Sequence, residues 1–216
     1  MNPAFTYIMA MSCTIPATAG IYRYKRIGNK FHPFIFMMLF DMLIETIFYL
    51  SIKNPALGNF PQLAVNLYIL INFALFLYLV HINNYLGKKF MQLLFGAAMA
   101  MAVFNYFYAG TLFKTFSFLF CFIWLVNLII SIDILSRQIM ALNEKLFNNF
   151  WFWVSSAYIL YNAFNLLIFG QVFFATTGTS NEKAIGNIQH FVNVACYLFY
   201  AIAIFRIPAK KFESPQ

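Results

Sequence analysis

Acidic side chains are scarce in this chain. Of 216 residues, six are Asp or Glu against 14 Lys and Arg, and charges of both signs make up 9%, where soluble domains carry roughly 25%. Charge this sparse marks a membrane protein, and with several spans of about 20 residues in a chain of 216 no separate water-facing domain is expected. Cysteine is nearly missing too. Cys13, Cys121 and Cys196 stand singly inside apolar runs, with no CxxC pair and no histidine at a metal-ligand spacing, so they read as packing residues and no metal site is expected. Only Pro16 and Gly96 lie well within the long apolar runs, the other prolines and glycines falling at their ends or between them, fewer breaks than the broken helices of many secondary transporters require. HExxH and GxSxG are both absent, so an enzyme is not expected and no catalytic residue or cofactor is assigned. The last apolar run, 188 to 206, lacks lysine, which rules out a retinal Schiff base there.

What the chain has in quantity is apolar and aromatic mass, 62% and 21% of residues, with 29 Phe. Seven runs reach the roughly 20 residues that cross a bilayer: about 4–22, 33–52, 62–82, 90–109, 112–132, 147–170 and 188–206. Backbone in lipid must satisfy its own hydrogen bonds, and these runs lack the two-residue alternation of barrel strands. The sequence therefore predicts an all-α, polytopic bundle of seven transmembrane helices forming one domain over 1–216. Turn-forming stretches such as "KNPALGNFPQ" and "NNYLGKK" separate the runs. The shortest separation, "AGT", lies between the fourth and fifth.

The net charge of +8 would suggest nucleic acid in a soluble protein, but its distribution excludes that partner. Counted by side, Arg23, Lys25, Arg26, Lys30, Lys88, Lys89, Arg137, Lys145, Arg206, Lys210 and Lys211 fall on one side of the seven runs, and Lys53, Lys114 and Lys183 on the other. The positive-inside rule then predicts the N-terminus outside and the C-terminus inside. The first run has no basic residue before it and "RYKR" after it, the pattern of a retained span rather than a cleaved signal.

Two acids interrupt the second run, Asp41 and Glu45 in "MMLFDMLIETIFYL". Four residues apart, they share one helix face. A charge at the bilayer centre costs at least about 2.5–3.5 kcal/mol on insertion scales, so this face should point into the bundle. There it would form a proton or cation site, or an anchor for a cationic or hydroxylated ligand. Asn66, Asn72, Asn105, Asn127 and Asn193 are scattered through the other runs and read first as amides that bind helices together. Asn162 and Asn165, with Tyr158 and Tyr161 beside them, are the best candidates to face the acids across a small polar pocket.

The segment 133–149 carries apolar residues at 134, 135, 139, 142 and 146, compatible with one face of a helix that extends the fifth span, lies on the membrane surface or docks a partner. Arg137, Lys145, Lys210 and Lys211 are the partner-docking candidates. The expected function is that of a sensor or receptor-like bundle in the lipid bilayer that signals through a separate cytoplasmic effector. A transporter or channel for a proton, cation or small polar solute is the alternative, and a structural or assembly subunit beside another membrane subunit is the third. The short loops suggest a bacterial cytoplasmic membrane.

Overall fold

The computed structural model describes residues 3–54, 58–109, 111–112, 114, 116–141, 146–174 and 179–209, with backbone alone for 3–10, 52–53, 109, 170–174 and 179–187. Among them run seven α-helices: α1 (Pro3–Arg23), α2 (His32–Lys53), α3 (Phe60–Ile82), α4 (Lys88–Ala109), α5 (Ser117–Ala141), α6 (Phe150–Phe174) and α7 (Thr179–Arg206). Six helical segments, from α2 to α7, are long and apolar enough to cross a bilayer. The protein is thus an integral membrane protein of all-helical architecture. α1 is not among those six, and its residues 3–10 are described as backbone only.

Local chemistry fixes the helix starts. Pro33 and Pro61 sit in the first turns of α2 and α3, where the missing N–H has no intrahelical partner to lose. Pro16 lies inside α1 without ending it. Each helix packs on the next in sequence, and α7 returns to pack on α1, so the bundle closes into a ring. Two features tie that closure. Arg23, at the end of α1, donates to the carbonyls of Ile204 and Ile207, and Ile27 forms an antiparallel bridge with Ala209. Gly20 lets α1 approach α2 closely, since a Cβ there would come within 3.0 Å of Ile35 Cγ2. α4 is peripheral: 11% of its apolar window is buried, against 44% for α5, so its outer face meets lipid.

Three expectations shift at the fourth and fifth helices. α5 begins at Ser117, later than the sequence suggested, and two buried amides hold the backbone on either side of that start. Asn66 Nδ2 donates to the carbonyls of Leu112 (2.9 Å) and Lys114 (2.8 Å), and its Oδ1 accepts from Phe116 N–H. Asn105 Oδ1 accepts from Phe118 N–H at 3.2 Å. Asn66 therefore fastens loop backbone rather than another helix, whereas Asn105 meets an N–H in the first turn of α5 and so joins α4 to α5. α5 does extend beyond its span, to Ala141, but not with the single apolar face expected. Ile134 is buried while Ile139 is 55% exposed, and the inward side is Ser131, Ile134 and Gln138. Gln138 is bound there, donating to the Tyr85 hydroxyl at 2.6 Å and accepting from Asn149 Nδ2.

The core is concentrated at the end of the ring where α1 meets α2 and α5 meets α6. Phe34 packs edge-on against Phe150 and Tyr200 at 5.1 and 5.6 Å between centroids, and Phe76 stacks on Tyr158 at 4.3 Å. With Phe31 and Trp151, these rings form an aromatic floor.

Candidate functional site

Above that floor the ring encloses a cavity of about 650 Å³. It is lined from α2, α3, α5, α6 and α7, and the lining residues come from the middle of each helix and from the half nearer the α2–α3 and α6–α7 connections. The cavity thus occupies one half of the bundle and ends at the aromatic floor, to which Tyr158 and Tyr200 belong.

All six residues singled out for a ligand or proton site line this one cavity: Asp41, Glu45, Tyr158, Tyr161, Asn162 and Asn165. Antiparallel packing explains how the acids find partners on α3. Asp41 stands twelve residues before the end of α2, and Asn72 twelve after the start of α3, so the hairpin brings them level. Tyr68, one turn from Asn72, donates its hydroxyl to Asp41 Oδ1, and Asn72 Nδ2 donates to the same oxygen and to the Tyr68 hydroxyl, both at 3.1 Å. Asp41 is 7% exposed. Glu45, one turn further along, accepts from the Tyr197 hydroxyl of α7 at 3.5 Å. The carboxyl face thus spans three helices.

The α6 residues meet the acids differently from the sequence expectation. They share the cavity, but their amides turn back on their own helix: Asn162 Nδ2 donates to Tyr158 O at 2.6 Å and Asn165 Nδ2 to Tyr161 O at 2.8 Å, the local bonding that short polar side chains make inside helices. Gln189 Nε2 reaches Asn165 Oδ1 at 3.4 Å. Tyr68, Tyr197 and Tyr200 went unnoticed among 13 tyrosines, and only the hairpin register, placing 68 and 72 opposite 41 and 45, could have found the first of them. Asn127 and Asn193, read as helix glue, also line the cavity. Of the docking candidates, Arg137 is exposed and paired with Asp133 at 2.8 Å, whereas Lys145, Lys210 and Lys211 lie outside the described residues.

No family model, curated protein or solved structure matches the chain.

The Asp41 cluster acts as one unit, which is testable. Tyr68→Phe should cost about 1.5 kcal/mol, the usual worth of a hydrogen bond to a charged group. Combined with Asp41→Asn it should cost less than the two single changes together, with a coupling of about 1 kcal/mol in unfolding measurements. Strict additivity would show that the phenol and the carboxyl do not interact in the membrane.

Proposed function

We propose that this protein is a receptor-like membrane sensor. A small polar ligand occupies the acidic cavity, changes the helix contacts around Asp41 and Glu45, and shifts a two-state bundle whose state a separate partner chain reads. The observation that carries this reading is the cavity's position: its lining lies in one half of the ring and ends at Tyr158 and Tyr200, which Phe76 and Phe34 back. A cavity backed by packed rings suits binding rather than passage.

With the N-terminus outside, as the basic-residue asymmetry argues, the cavity faces the exterior and the floor faces the cytoplasm. A shallower cleft of about 440 Å³ on the floor side is lined by Lys30, Asn83, Tyr85, Asn149 and Arg206 among others. It sets basic side chains where an acidic effector or anionic lipid headgroups would meet them. On this reading the protein catalyses no reaction of its own and sits in a bacterial cytoplasmic membrane.

Purification from the native membrane in mild detergent, followed by mass spectrometry of what remains bound, tests the proposal. The expected result is a stoichiometric cytoplasmic effector whose association or activity changes in the Asp41→Asn, Glu45→Gln double variant. Recovery with other membrane subunits alone would replace the sensor by an assembly subunit. Recovery without partners, together with solute flux into proteoliposomes that the double variant abolishes, would replace it by a transporter.

A further inference from the structure

The two walls of the cavity differ in what they lack. The carboxyls are met by neutral donors from α3 and α7, and among the described residues that line the cavity there is no lysine or arginine and one imidazole, His190. Elsewhere on the lining, three buried polar atoms have no hydrogen-bond partner among the described residues: Trp124 Nε1 and Asn127 Oδ1 on α5, and Asn193 Oδ1 on α7. Asn127 is 5% exposed. Buried polar atoms are almost always satisfied, and a roomy cavity bounded by such atoms is one that a ligand completes.

The chemistry of each wall selects the ligand. Two carboxyls without a basic neighbour attract a positive charge and repel an anion. Tyr161, Tyr197 and Trp124 present aromatic rings around the cavity, surfaces that favour an ammonium group and an apolar body. The orphaned atoms need the complement of what they are: each amide oxygen accepts only, and the indole N–H donates only, so the far end of the ligand must supply both a donor and an acceptor, as a hydroxyl or amide does. The volume of about 650 Å³ is far larger than a bare metal ion or proton needs and falls in the range of organic ligands, roughly 300–1,000 Å³.

Building on the ligand-binding reading above, we infer that the cavity binds a small organic amine: a cationic ammonium group against Asp41 and Glu45, an aromatic or apolar body between the tyrosines, and a hydroxyl or amide against Trp124, Asn127 and Asn193.

The test uses the full chain in nanodiscs and a panel of arylalkylamines. Each amine is paired with the neutral alcohol of the same shape, such as tyramine with tyrosol and tryptamine with tryptophol, and thermal unfolding is the readout. Amines in the panel are expected to raise the unfolding midpoint where their alcohols do not. Asp41→Asn should weaken the amine by on the order of 30-fold or more, the consequence of removing one partner from a buried charge pair. Tyramine should bind more tightly than phenethylamine, which lacks the hydroxyl, and Asn127→Leu should erase that preference.

Equal stabilisation by amine and alcohol overturns the cationic class while leaving a ligand cavity in place. No stabilisation by any member of the panel overturns the inference and leaves water as the partner of the orphaned atoms. Should Asp41→Asn fail to fold, the amine–alcohol comparison on the unmodified chain still decides. The partner capture described for the sensor reading is independent of every arm of this experiment, so either can fail alone.

Discussion

Asn66→Leu is expected to destabilise the protein by about 3 kcal/mol. Asn66 is buried and serves three backbone groups of the stretch before α5: two carbonyls and the Phe116 N–H. Each such bond is worth about 1 kcal/mol net, and leaving its backbone partner buried and unmet costs at least as much. Hydrogen bonds between transmembrane helices often give less, because separated helices find other partners in the membrane. The groups here are different, since a loop has no helical ladder in which to place them. Asn66→Asp as the neutral acid keeps an acceptor for Phe116 N–H and one O–H donor for a carbonyl, so it should fall between leucine and the parent. Unfolding in detergent by heat or denaturant measures all three. A loss below about 1 kcal/mol for the leucine variant would mean that water already serves the loop.

Phe76→Ala should open the floor. Phe76 is almost fully buried and stacks on Tyr158. In a soluble protein the change would cost about 3–5 kcal/mol, transfer and cavity terms together. Lipid tails are as apolar as the core, so the transfer term largely drops out in a membrane. The void remains, roughly 100 Å³ at about 24 cal/mol per Å³, and predicts a loss of about 2 kcal/mol. The larger effect is on permeability, because the lost ring backs Tyr158, which lines the cavity. Proteoliposomes carrying the variant should dissipate a proton gradient faster than those with the parent chain. Unchanged leakage would show that Phe34 and Tyr200 seal the floor without it.

The helices were legible because lipid-length apolar runs leave the backbone few choices; six of the seven anticipated spans reappear as helices of spanning length among the described residues. Their ends were less legible. The start of α5 is held by Asn66, which reaches loop backbone distant in sequence, and by Asn105, which reaches the first turn of α5 itself, and apolar counting carries no trace of such bonds. The acids on α2 announced themselves by cost, and the cavity gathers them with Tyr158, Tyr161, Asn162 and Asn165. Their direct partners were less visible, since Tyr68, Asn72 and Tyr197 become neighbours only when the ring closes. Asn127 and Asn193 show the same limit from the other side: an amide that glues helices and one that waits for a ligand look alike in sequence.

The contact between α1 and α7 also sets the order of assembly. Arg23 and the carbonyl it binds at Ile204 are 181 residues apart. At the usual elongation of about 5–20 residues per second, α1 waits roughly 10–35 s before its acceptor has been made. Over that interval Gly20 can meet α2, but the flank of α1 that α7 will cover stays open, and the cavity has no complete wall. The proposed ligand binding would therefore be a property of the finished chain, and any chaperone of this protein has its longest task at the flank of the first helix that the last one will cover.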